Sequence, residues 1–238
     1  MNYKIISKDS VPKSGTLFFT TDRTVGRDAD VLCPLVGVEK ARFARPHQTH
    51  TDRILAIDEA FFTKDESTRE TLMEGIDAVI SDVRGACIGI STADCIPVLV
   101  YDTRNHVAAA IHAGWRGTVQ RIVSKSMQAL ADTYGTAAAD CEAVIGPGIS
   151  LQSFEVGNEV YDAFANAGFE MGGIARMYAK WHLDLKEINR RLLLDCGVKP
   201  ENIHVSDIDT YTNSRYFSAR REQKGSVKCG RILSGFVL

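Results

Sequence analysis

The run Val107-Ala108-Ala109-Ala110-Ile111 carries no polar side chain and leads straight into His112-Ala113-Gly114-Trp115-Arg116-Gly117. A short apolar run without alternation fits a strand covered on both faces. A helix-like stretch over residues 118–132 follows. The order places a histidine at the end of a buried strand, in a loop containing two glycines. Comparable strand-like runs span residues 77–82, 86–91, 96–101, 143–145 and 203–208, and a last apolar strand follows the basic segment 215–228. Pro97 cannot donate to a ladder, so it suits the first residues of a strand or an edge. Asn158 suits the cap of a helix reaching about Asn166, with Gly168 beyond its end. In residues 184–196, Leu185, Ile188, Leu192 and Cys196 share one helical face, with Asp184 in the first turn and Gly197 as the stop. Residues 61–75 are polar and read as a surface loop or short helix. Strands and helices alternate without a strict βαβ period, and Gly-x-Gly-x-x-Gly and P-loop patterns are absent. The expected fold is therefore a mixed-sheet α/β or α+β domain rather than a Rossmann or P-loop fold. A chain of 238 residues admits one large or two small domains. No linker-like stretch separates its motifs, so a single domain over 1–238 is expected.

A formal net charge of −2 gives no electrostatic case for nucleic acid or an anionic membrane surface. No apolar run approaches a membrane span, and residues 1–10 lack a signal-peptide core, so a cytoplasmic location is expected. The six cysteines form no Cys-x-x-Cys pair. Cys87, Cys141 and Cys196 read as small buried hydrophobes, and Cys33 and Cys229 carry no signal. Cys95 differs: it stands at a strand start, in Thr92-Ala93-Asp94-Cys95-Ile96-Pro97, where a side chain can face a pocket.

Upstream lies His47-Gln48-Thr49-His50. A catalytic zinc takes three protein ligands and keeps one position open. His50, Cys95 and His112 would supply nitrogen, sulfur and nitrogen. Ligand bonds of roughly 2.0–2.3 Å require the donor atoms to lie within about 4 Å of one another. His47 competes with His50 for this role, and spacing does not choose between them. His106, His182 and His204 read as ordinary surface or core histidines. The same residues also admit a metal-free hydrolase, with Cys95 as nucleophile and His112 as its base.

Several segments occur together in a recognisable order: Gln48-Thr49-His50, Thr92 to Leu99, His112 to Gly117, Ile145-Gly146-Pro147-Gly148-Ile149, Phe154-Glu155-Val156-Gly157, Tyr216-Phe217-Ser218-Ala219-Arg220-Arg221 and Gly230-Arg231. In these the chain resembles the YfiH-like, laccase-domain proteins over residues 46–231. The resemblance implies a layered sandwich of mixed β-sheets with flanking helices, distantly similar to cysteine-dependent toxin deamidases. It implies purine nucleoside phosphorylase activity on adenosine, inosine and S-methyl-5′-thioadenosine, with adenosine deaminase activity beside it. The implied metal ligands are His50, Cys95 and His112, which selects His50 over His47. Zinc is the expected ion and copper the alternative. Purine nucleoside and phosphate are the expected partners. A copper-dependent polyphenol oxidase would need a separate His-rich cluster, and the whole chain has six histidines. A Cys-His amidase of the type that edits peptidoglycan precursors is the hydrolase alternative. The chain departs from the family pattern at Thr20 to Gly26, which keeps a trace of an N-terminal glycine motif, and at Asp209, where cysteine is usual.

Deamination needs an activated water aimed at the purine carbon bearing the amine, and phosphorolysis needs cations around a phosphate oxyanion. Asp94, beside Cys95, is either an acid/base catalyst or a residue that ties the loop and orients a histidine. Arg116 is the first phosphate candidate, against a structural ion pair, and Arg220 and Arg221 are the second. Gln48 joins them as a substrate-binding candidate. Trp115 suits either base stacking or a core anchor.

Overall fold

The apolar runs form the middle of a stack of layers. The computed structural model describes residues 3–7, 17–222 and 230–238. Its strands are β1 (Tyr3–Ile6), β2 (Leu17–Thr21), β3 (Phe43–Ala44), β4 (Ile54–Ala56), β5 (Ala78–Ser81), β6 (Cys87–Thr92), β7 (Ile96–Asp102), β8 (Val107–Ala113), β9 (Cys141–Ile145), β10 (Glu155–Val156), β11 (Ala175–Met177), β12 (Trp181–Leu183), β13 (Ile203–Val205) and β14 (Ile232–Val237). Its helices are α1 (Ala29–Val36), α2 (Glu59–Phe62), α3 (Glu66–Met73), α4 (Trp115–Val119), α5 (Ile122–Tyr134), α6 (Asn158–Asn166), α7 (Leu185–Asp195) and α8 (Ala219–Glu222).

A six-stranded sheet runs β13-β9-β7-β8-β5-β4, a five-stranded sheet runs β1-β2-β14-β6-β3, and a small sheet runs β10-β12-β11. Along β8, Val107, Ala109, Ile111 and Ala113 pack with residues of α5, α6 and α7. Ala108 and Ala110 pack the opposite way, with Ile88, Ile90 and Phe236 of the five-stranded sheet. Both faces of β8 are covered, which is why its sequence does not alternate. By the same period of two, His112 falls on the face turned towards the other sheet. The outer face of the five-stranded sheet packs Phe19, Cys87 and Leu233 against Leu32 of α1. The layers are thus helices, sheet, sheet, helix, as the expected layered sandwich requires.

Several local expectations need correction. The helix over 118–132 is two helices, α4 and α5, broken where Arg121 takes φ +59°. Residues 61–75 contain the short helix α3, as the short-helix reading has it, and the end of α2; their caps are Asp65 and Asp58. Asn158 is the first residue of α6, and Gly157 holds the cap position without a side-chain bond. The strand expected over 203–208 stops at Val205. Beyond it, Lys186 Nζ on α7 donates to the carbonyls of Ser206 and Ile208, both at 2.8 Å, which draws the chain out of the ladder. Pro97 is the second residue of β7, one of the first strand residues as expected, in the sheet interior, with its carbonyl accepting from Gly146 N–H at 2.9 Å. Asp184 caps α7 through Glu187 N–H, as read from sequence. Cys229 and residues 223–228 lie outside the described residues. Among the described residues, no helix is long and apolar enough to cross a membrane.

The pairing directions gather the chemistry at one end of the stack. In the five-stranded sheet β2, β3 and β6 finish there and the antiparallel β14 begins there. In the six-stranded sheet β8 finishes there while β5 and β7 begin. Residues 93–95 link β6 of one sheet to β7 of the other across this end.

Candidate metal centre and its cavity

Cys95 closes that link, His112 is the penultimate residue of β8, and His50 lies in the loop from β3 to β4. One donor atom from each lies within 4.8 Å of the others, and Cys95 Sγ is 3.9 Å from His50 Nε2. The widest separation exceeds the expected distance of about 4 Å by less than an ångström. His112 is buried, Cys95 half-buried and His50 exposed, so the group opens outward from the sheet ends. His47 is turned away instead, with Nδ1 on the Glu74 carboxylate at 2.7 Å.

The residue that organises the group was not singled out from the sequence. Asp77, fully buried just before β5, accepts from His112 Nδ1 at 2.6 Å. It also accepts the backbone N–H groups of Thr49, His50 and Thr51 at 3.1, 3.1 and 2.8 Å, and the Thr51 hydroxyl at 2.9 Å. One carboxylate therefore orients both histidines: His112 through its ring, leaving Nε2 for the site, and His50 through its backbone. His50 holds φ +66° and Asp94 φ +84°, left-handed conformations that persist where surrounding bonds over-determine them. The one signal in the sequence was an acidic residue directly before a strand buried along its whole length.

Burial by itself would push the Asp77 carboxyl up. The hydrogen bonds from His112 and Thr51 outweigh it and hold the group below the usual carboxylate range. Burial would likewise raise the Cys95 thiol, but the charge and hydrogen bond of His112, with His50, bring it down to about 6. His112 shows the converse: burial lowers it, while Cys95 and Asp77 carry it up to about 9. A thiolate results, the form of cysteine that binds metals and attacks electrophiles.

The space between the three donors is kept by a missing methyl group. A Cβ on Gly114 would stand 3.1 Å from Cys95 Sγ, 3.1 Å from His50 Cδ2 and 3.7 Å from His112 Cε1. Gly114 has φ −69°, so alanine there is free of backbone strain. The residues fit a metal ion: a mixed nitrogen and sulfur donor set, one histidine fixed by a buried carboxylate, and a cradle that a single Cβ would fill. Gly114→Ala is expected to fold normally and to weaken metal binding by about 10- to 100-fold, as read by competition with a chromogenic chelator.

The other candidates are placed differently. The Asp94 carboxylate faces the C-terminal segment and accepts from Thr210 Oγ1 at 2.7 Å, Ser218 Oγ at 2.9 Å and Arg220 N–H at 2.7 Å. This is the loop-tying arrangement. Gln48 bonds both backbone groups of Ser91, accepting its N–H at 2.7 Å and donating to its carbonyl at 2.9 Å, and so splints the two loops. Arg221 donates to the carbonyls of Thr210, Tyr211 and Tyr216. Arg220 donates to the Glu155 carbonyl at 2.9 Å. Arg116 lies over the Trp115 ring, 4.3 Å from its centroid, and Trp115 itself packs on the helix-side core. Asp209 ties the 150–153 turn, accepting from the hydroxyls of Ser150 and Ser153 at 2.8 and 2.5 Å. His106 pairs with the Tyr101 hydroxyl and His182 with the Leu151 carbonyl. A cavity of about 280 Å³ opens onto the three donor residues. Arg27, Arg45 and Arg231 line it, while Asp94, Arg116, Arg220 and Arg221 do not.

A family model described as multi-copper polyphenol oxidoreductase laccase matches residues 20–238. A purine nucleoside phosphorylase of Bacteroides thetaiotaomicron is 45% identical over 197 residues, 81% of this chain and 72% of that protein. Adenosine deaminase RL5, from an unknown prokaryotic organism, is 36% identical over 208 residues, 86% of this chain and 78% of that protein. The crystal structure of the hypothetical protein YfiH of Bacillus licheniformis superposes with a TM-score of 0.79 at 26% identity, covering 87% of this chain and 78% of that one.

Proposed function

Because the chain belongs to the multi-copper polyphenol oxidoreductase laccase family, in which close relatives bear purine nucleoside phosphorylase and adenosine deaminase names, we propose that it is a metal-dependent purine nucleoside phosphorylase with adenosine deaminase activity. Adenosine, inosine and S-methyl-5′-thioadenosine are the proposed nucleosides, phosphate is the co-substrate, and zinc is the proposed ion. The observation that carries the reading is the convergence of His50, Cys95 and His112 on one cradle at the mouth of a cavity.

His50, Cys95 and His112 would hold the ion, which supplies Lewis acidity and lowers the pKa of water towards about 7. Asp77 keeps the His112 ring in one orientation and tautomer, with Nδ1–H donated away from the site. Gln48 and Asp94 act as positioning residues, fixing the loops that carry His50 and Cys95. In phosphorolysis a phosphate oxygen bonds to C1′ of the ribose as the bond from C1′ to the base nitrogen breaks. The electron pair leaves with the base, which takes up a proton. In deamination water adds to the purine carbon bearing the amine, and ammonia departs. Purified protein incubated with adenosine should release adenine only when phosphate is present, and form inosine without it. Chromatography of the products decides this, and an inert protein in both arms would reject the reading.

A second reading rests on a specific arrangement. Asp77, His112 and Cys95 form a carboxylate–imidazole–thiolate chain, as in cysteine hydrolases. Polyphenol oxidation is less well served: among the described residues His50, Cys95 and His112 are the one cluster of metal-capable groups.

We further propose that residues 1–238 form one domain. Apolar residues of both large sheets share one cluster, so limited proteolysis should release no stable half-size fragment.

A further inference from the structure

We propose that Arg27, Arg45 and Arg231, with the hydroxyl of Ser91, form an anion site in the wall of this cavity that takes a phosphate dianion. The inference rests on the phosphorylase reading for its link to a reaction, but not for the binding itself.

The sheet topology assembles the site. Arg27 follows β2, Arg45 follows β3, Arg231 precedes β14, and Ser91 lies near the end of β6, all at the same end of one sheet. Gly26 turns the chain at φ +59°, with the Arg231 carbonyl 3.2 Å from the position of a Cβ, and so brings Arg27 beside residue 231. Among the described residues, the cavity wall contains three arginines and no aspartate or glutamate, in a chain whose formal net charge is −2. Neither Arg27 nor Arg45 makes an ion pair among the described residues. Burial, and then the charge of Arg27, disfavour the charged form of Arg45. The charge of a bound anion would offset both effects.

The second observation is independent of charge. Ser91 is 8% exposed and lines the cavity on the arginines' face of the sheet, and its side-chain oxygen has no hydrogen-bond partner. Arg45 Nε is also buried and unpartnered. Buried polar atoms are rarely left unsatisfied. Two donors in one wall, beside cations, match the acceptor-rich surface of a phosphate group. The phosphate is either free or carried as a phosphoryl group on a sugar.

The test is calorimetric titration with inorganic phosphate and, separately, with adenosine 5′-monophosphate. Whichever probe binds identifies the source, and binding of neither overturns the site. Arg27→Gln and Arg45→Gln should each weaken that binding by about 10- to 100-fold. Arg27 is exposed, so its variant keeps the test valid if Arg45→Gln fails to fold. Arg104→Gln, at a remote exposed arginine, should bind as the wild type does. Both cavity variants should raise KM for phosphate in base release by a larger factor than they change phosphate-independent inosine formation. Wild-type affinity in both, or binding that survives Arg45→Gln and disappears in Cys95→Ser, would overturn the assignment. Phosphate binding that follows the arginines in a protein that releases no base would keep the site and discard the phosphorylase reading.

Discussion

Asp77→Ala is expected to destabilise the protein by about 3–5 kcal/mol, as is usual when one partner of a buried charged network is removed. Its partners would be left behind: three backbone N–H groups, one hydroxyl and the His112 ring. Chemical denaturation with metal removed from both proteins measures the loss. Metal binding should fall as well, because the His50 loop and the His112 ring lose the same anchor. Asp77→Asn separates the two effects. It keeps the volume and one acceptor oxygen but turns an NH₂ towards groups that donate, so the fold should survive better than the site. An Asp77→Ala protein of wild-type stability and metal content would remove Asp77 from the centre.

Cys95→Ala should abolish metal binding and reduce both base release and inosine formation to background. The thiolate is the one anionic donor among the three residues, and a metal left on two neutral histidines has lost its charge partner. Metal analysis and product chromatography read the two losses on the same preparation. The apo fold should persist, since Cys95 is half-buried in a short link rather than packed in the core. Chelation and thiol alkylation separate the two enzymatic readings. If the metal acts, chelation silences the protein and added zinc restores it. If the Cys95–His112 pair acts alone, alkylation silences it and chelation does not.

The centre tests how far a linear reading reaches. Cys95 and His112 were legible because each has a local signature: a histidine or cysteine at the end of an apolar run, in a loop of small or acidic residues. Buried strands announce their ends through composition, and residues at strand ends reach solvent. The family resemblance then settled His50 against His47, which spacing could not. Arg116 shows the opposite case. It stands beside a ligand in sequence, yet it lies over Trp115 and outside the cavity. Adjacency along the chain says little about direction once a helix begins.

By itself, the sequence determined the mixed-sheet class, the principal buried strands and helix α7 with its cap, and it offered Cys95 and His112 as candidate metal ligands with either His47 or His50. These depend on apolar periodicity and local chemistry, which act over a few residues. Only the tertiary structure decided what surrounds them. Asp77 serves two histidines 62 positions apart in the chain, 50 and 112, because β5 and β8 are antiparallel neighbours. Arg27, Arg45 and Arg231 meet because β2, β3 and β14 end or begin at the same edge. Asp94 faces residues 210–220 because the C-terminal segment folds back over its loop. Partners of this kind are fixed by strand order and direction, which no local pattern encodes.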